Sequence, residues 1–147
     1  MIARLVLCAA VVCLAGEAVA QTAAAKPQAA VKPAGLELLP IEQNIVDYSN
    51  IERARYGLPA LEVDAELMQS ARQHATWMTV NQSLAHSAQP VAENIAMGQP
   101  SAQWVLQTWM NSSGHRANIL NPGHRRIGVA AYQTPEGTIF WCQQFMW

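Results

Sequence analysis

The sequence predicts an α+β domain, with helices first and a β-hairpin last. Ile41, Ile45, Tyr48 and Ile51 recur at helical spacing, and so do Leu67, Ala71, His74, Ala75 and Met78. At residues 127–133 and 138–145 the pattern changes to strand-type runs rich in Ile, Val, Tyr, Phe and Trp. Helical segments followed by paired strands suit a layered arrangement of helices on a sheet.

Each element has its own start and stop. The first helix begins near Leu39 and is ended by Gly57 and Pro59. Asp64 stands where an N-cap belongs, ahead of a second amphipathic helix running to about Asn81. Residues 82–100 are rich in Gln, Ser, Ala, Pro and Gly and read as irregular chain, with a short extended piece at 93–97. Gln99-Pro100-Ser101 opens a third helix whose buried stripe is Ala102, Val105, Leu106 and Trp109. Ser112-Ser113-Gly114 stops it, and a short helix at 115–120 ends at Asn121-Pro122-Gly123. In Thr134-Pro135-Glu136-Gly137, Pro at the second and Gly at the fourth position suit a type I turn closing the hairpin.

The N-terminus reads as export machinery. Arg4 supplies a positive charge, residues 5–15 form an apolar run too short to span a bilayer, and Ala18-Val19-Ala20 is a cleavage signal. Residues 1–20 are therefore expected to be a signal peptide removed before Gln21, which makes the protein secreted or periplasmic with no membrane span afterwards. Residues 21–38, rich in Ala, Pro and Lys, read as a semi-extended tether, and 39–147 as one domain.

Composition excludes some functions. The 147 residues are 51% hydrophobic and 13% charged, which favours a packed core over disorder. A formal net charge of −1 with no polybasic run gives no case for nucleic acid or anionic lipid. Cys8 and Cys13 leave with the signal peptide, so Cys142 is alone and cannot make an internal disulfide. Its alternation with Trp141 and Gln143 predicts a strand position and a buried, inert thiol.

Four histidines remain as chemical candidates, and none forms a local metal motif. His74 lies on an apolar helix face, which predicts core packing with one ring nitrogen paired. His86 lies seven residues before Glu93, and Glu93 precedes the apolar pair Ile95-Ala96, so the chain there is entering the interior. A half-buried carboxylate needs a partner, and a histidine would serve; a turn carboxylate capping a backbone N–H is the equal alternative.

Trp109-Met-Asn-Ser-Ser-Gly-His115-Arg-Ala-Asn-Ile-Leu-Asn-Pro122 resembles the long signature of bacterial CAP (SCP-like) domains, the cysteine-rich secretory protein, antigen 5 and pathogenesis-related 1 group. Glu93-Asn94-Ile95-Ala96, Ile127-Gly128-Val129, Phe140-Trp141-x-Gln143-x-Phe145, Asn50-x-x-Arg53 and Gly57-Leu58-Pro59-x-Leu61 extend the likeness in order over residues 41–146. The resemblance implies a three-layer α-β-α sandwich with a small antiparallel sheet. It also implies a surface cleft of two histidines and two acids that binds a divalent metal in several relatives. By position these are His86, Glu93 and His115, with Ser112 where the second acid would stand. Departures include Ala92 before the Glu-Asn pair, Leu84 in place of an aromatic, and His124-Arg125, which with Arg116 and Arg126 gives the later half a basic cluster.

Two functions follow from the resemblance. The first is a non-enzymatic extracellular binding module, monomeric, with a lipid, protein or metal ligand; no nucleophile elbow or paired Ser, Thr or Cys argues for more. The second is a metal-assisted hydrolase using His86, Glu93 and His115, and it ranks behind the first. Weak zinc binding is the cofactor expectation, with His86, His115 and Glu93 as ligands, water completing the shell, and loss of binding as pH falls through about 6.5.

Overall fold

The computed structural model describes residues 31–147 of the chain. The expected signal peptide and the tether up to residue 30 lie outside the described residues. Four helices, α1 (Pro40–Arg55), α2 (Ala65–Asn81), α3 (Ala102–Met110) and α4 (Ser113–Ile119), surround one sheet. Its strands are β1 (Glu62–Val63), β2 (Ala92–Met97), β3 (Arg126–Gln133) and β4 (Ile139–Met146), in the order β1-β3-β4-β2. β1 runs parallel to β3 and the other pairs are antiparallel.

The two-residue period of the strands splits the core in two. Ile127, Val129 and Ala131 of β3 with Trp141 and Phe145 of β4 face α1, α3 and α4. Ala130, Phe140 and Cys142 point the other way, onto Ala71, Ala75 and Met78 of α2. The result is the α-β-α sandwich. α2 sits very close to the sheet: a Cβ at Gly128 would collide with the backbone of Leu67, so only glycine fits there. Asp64 caps α2 by accepting from Glu66 N–H at 3.0 Å and Leu67 N–H at 2.9 Å. Trp109 is fully buried and donates its indole N–H to Ile95 O at 3.2 Å. The hairpin turn closes with Gly137 N–H on Thr134 O at 3.0 Å.

Several expectations change. The inward face of α1 is not Ile41–Tyr48–Ile51, which are half-buried; it is Glu42, Ile45, Val46, Ser49, Asn50 and Arg53. Four of these six are polar, so hydrophobic periodicity found the helix but misplaced its face. Ser113 and Gly114 belong to α4 and do not merely separate it from α3. β1, two residues long, has no sequence signal of its own. The segment 31–38 lies along the domain: Val31 O accepts from Val63 N–H at 2.8 Å, and Leu36 and Leu38 pack on the core.

Candidate functional site

β2 is an edge strand that carries Glu93, in contact with His86, and Asn94, in contact with the backbone of His115. Glu93 sits on β2 and is 8% exposed. His86, on the preceding loop, turns back so that its Nδ1 lies 2.8 Å from Glu93 Oε1, while its side chain stays 62% exposed. Oε1 also accepts Ser87 N–H at 2.9 Å. Oε2 takes Gln144 Nε2 at 2.8 Å and the Cys142 thiol at 3.8 Å. Burial pushes the Glu93 carboxyl up, but hydrogen bonds from Gln144, Ser87 and His86 outweigh it and hold the carboxyl below its usual range. An ionised acceptor fixes the His86 tautomer: Nδ1 carries the proton, and in the neutral ring the Nε2 lone pair is directed away from Glu93.

His115 arrives from the opposite face of the sheet, on α4. An amide chain positions that helix. Gln143 Nε2 donates to Ser49 Oγ at 2.7 Å, and Asn94 Nδ2 donates to Gln143 Oε1 at 3.1 Å. Asn94 Nδ2 also reaches His115 O at 3.1 Å, and Asn118 Nδ2 donates to Asn94 Oδ1 at 2.9 Å and Glu93 O at 3.2 Å. The Glu-Asn pair, the Asn of the long motif and the Gln of the last strand are thus one fastening that holds α4 against the sheet edge. Burial, and then the neighbouring charge of His86, lower the proton affinity of His115. Its Nδ1 is buried with no protein partner, as is Gln144 Oε1. Ser112 is the N-cap residue of α4, without a side-chain capping bond, and no hydrogen bond ties it to His86, Glu93 or His115.

Among the described residues, no three or more His, Cys, Asp or Glu side chains are arranged to hold a metal ion. At Glu93 the two oxygens already meet four protein donors. Glu93 is thus placed to orient His86 rather than to offer a free oxygen to an ion.

Three neighbours of Glu93 escaped the sequence reading. Gln144 and Cys142 reach it because β4 pairs with β2 in the register Glu93↔Gln144, a contact between strands distant in sequence. His74 has Nε2 on Ala85 O at 2.8 Å, the single pairing expected, but also lies 4.0 Å from Glu93 Oε1. Cys142 is buried, and burial followed by the Glu93 charge raises its thiol pKa far up, so it is inert. Within the basic cluster His124 is buried against Phe145, Arg126 pairs with Asp64 at 3.0 Å, Arg116 donates to Tyr56 Oη at 2.6 Å, and Arg116 and Arg125 stay exposed.

Residues 46–145 match the model of the cysteine-rich secretory protein (CAP) family. The uncharacterized protein YkwD of Bacillus subtilis is 36% identical over 122 residues, covering 71% of this chain and 46% of that protein. An extracellular SCP-domain protein of Bacillus anthracis superposes with a TM-score of 0.65 at 29% identity, over 76% of this chain and 45% of the other. An outer surface protein of Borrelia burgdorferi gives a TM-score of 0.63 at 20% identity, over 69% and 87% respectively. The chain spans less than half the length of the curated relatives it matches. Among the described residues, no helix is long and apolar enough to cross a membrane.

Proposed function

We propose that this protein, which belongs to the cysteine-rich secretory protein (CAP) family, is an exported, monomeric binding module whose cleft is formed by His86 and His115 over Glu93. Export rests on the complete signal-peptide pattern of residues 1–20, followed by the tether, and on the extracellular description of the Bacillus anthracis neighbour. The observation that carries the cleft is the Glu93 arrangement. A carboxylate closed off by four donors cannot be the reacting group, but it presents an exposed imidazole in one tautomer. Near it stands His115, a half-buried imidazole whose Nδ1 has no protein partner. Such a pair suits weak capture of a borderline cation such as Zn²⁺, the remaining positions going to water or a ligand. When bound, the ion would supply Lewis acidity; His86 and His115 would hold it and Glu93 would orient His86.

Binding is favoured over catalysis because no hydroxyl or thiol is hydrogen-bonded to either histidine among the described residues, and Cys142 is kept protonated by burial. The hydrolase reading keeps one support, the carboxylate–imidazole pair itself, which is how a general base is oriented.

Zinc titration calorimetry decides. The parent should bind weakly, His115→Ala should abolish binding, and Ser112→Glu should tighten it by adding a carboxylate beside the pair. Equal affinity in the parent and His115→Ala refutes the shared site. Ester or peptide turnover that needs both His115 and added zinc moves the hydrolase ahead.

A further inference from the structure

We propose that the groove between α2 and the loop at residues 86–89, which shares His86 with the cleft, is a binding site for a neutral saccharide. Its volume is about 360 Å³, within the ~300–1,000 Å³ span of small-molecule sites. Ser70, Gln73, His74 and Trp77 line one wall at positions i, i+3, i+4 and i+7 of α2, and His86, Ser87 and Gln89 line the other. No Lys, Arg, Asp or Glu lines it. Its two histidines already face protein acceptors, His74 Nε2 on Ala85 O and His86 Nδ1 on Glu93, and without a guanidinium fork the groove is poorly suited to phosphate or carboxylate groups. With two amides and two hydroxyls it is equally unsuited to a hydrocarbon chain, which would leave them dehydrated and unpaired.

Trp77 supplies the remaining feature. It is 47% exposed, yet its plane is set: it stacks on His74 with ring centroids 5.9 Å apart and 8° between planes. His74 is in turn fixed by Ala85 O at 2.8 Å. A preset indole platform loses little freedom on binding. Its apolar face accepts the C–H face of a sugar ring, while Gln73, Gln89 and Ser70 reach the hydroxyl rim as donors and acceptors. A flat apolar surface bordered by uncharged hydrogen-bonding groups matches a pyranose better than any charged or purely apolar ligand.

This deepens the binding-module reading by naming a ligand class; His86 is common to groove and cleft, but the sugar contacts are argued from Trp77, Gln73, Gln89 and Ser70 and need no zinc. The test is calorimetric titration of the purified protein with cellotetraose, maltotetraose and N-acetylchitotetraose, with a glucuronic acid oligomer as the charged control. At least one neutral oligosaccharide should bind. Trp77→Ala should weaken it about tenfold or more and Gln73→Ala about three- to tenfold, the latter replacing only a surface amide. Circular dichroism of both variants should match the parent, and zinc affinity should be unchanged. No heat from any neutral sugar at millimolar concentration overturns the proposal. So does undiminished affinity in both variants, or binding of the charged oligomer alone. Trp77-dependent association with phosphatidylcholine vesicles in place of sugar overturns it in favour of a lipid-facing indole. Sugar binding that persists where zinc binding fails leaves the groove standing and removes the zinc cleft.

Discussion

Arg53 and Glu93 are both charged and both buried, at 0% and 8% exposure, but their surroundings are built to different ends. Arg53 meets only backbone: Nε donates to Pro59 O at 2.9 Å, Nη1 to Ile119 O at 2.8 Å and Asn121 O at 2.9 Å, and Nη2 to His124 O at 3.2 Å. These carbonyls belong to a turn, the last turn of α4 and the loop after it, where backbone acceptors lack helical partners. Burial, and then Arg125, lower its proton affinity, so the carbonyl cage is what makes the buried cation tolerable. Glu93 is equally well paired, but beside it Gln144 Oε1 and His115 Nδ1 lack partners and His86 stays exposed. A closed polar network fastens segments together, whereas one that ends at an exposed imidazole is free to meet something else.

The sharpest way to break this contrast is Arg53→Met. It removes the donor for four carbonyls and should lower stability by about 3–5 kcal/mol in urea melts. Zinc affinity, measured well below the melting transition, should stay within about twofold, because His115 is tied through Asn94 rather than Arg53. A stability loss under about 1 kcal/mol would show that water replaces the guanidinium and that Arg53 is not a fastener.

Asn94→Ala probes where the two networks meet. It deletes donors to His115 O and Gln143 Oε1 and the acceptor for Asn118. The expected cost is about 1–3 kcal/mol, smaller than at Arg53. Unlike Arg53→Met, it should also weaken zinc about tenfold, the size typical of partners behind a metal ligand. Stability loss with zinc affinity intact would separate α4 placement from the cleft.

The same contrast explains what was legible in the sequence. α2 and α3 bury apolar stripes against the sheet, so Leu67–Met78 and Ala102–Trp109 could be phased from spacing alone. α1 buries Glu42, Ser49, Asn50 and Arg53; besides the local Leu39 N–H, Glu42 takes Arg72 from 30 residues away, and Arg53 reaches the α4 carbonyl of Ile119 66 residues away. Nothing local marks such residues as inward. His86, Glu93 and His115 were reached through the family likeness, since they lie on a loop, a strand and a helix with no common period. Gln144 and His74 were missed because only strand pairing and the packing of α2 bring them to Glu93.

The smallest expected effect is at His115 and depends on pH. At pH 7.5 His115→Ala should change stability by no more than about 1 kcal/mol, because the buried Nδ1 has no bond to lose. In acid the variant gains on the parent. Burial lowers the proton affinity of both His115 and His124, so below about 6.5 the unfolded chain takes up protons that the folded one refuses. Stability therefore falls as pH drops from about 6.5 toward the folded values, and removing His115 should make that fall shallower. Glu93 acts in a lower window: its depressed pKa stabilises the fold above about 4.3, and that contribution is lost as pH falls through the folded value. Urea melts of parent and variant from pH 7.5 to 5 measure the first slope; identical slopes would place His115 in contact with bulk water. The same lowered affinity keeps His115 neutral at pH values where a free imidazole is already charged. His115 should accordingly not be the ligand whose protonation first releases zinc in acid, and zinc affinity unchanged between parent and His115→Ala across pH 7.5 to 5 would remove His115 from the ligand pair.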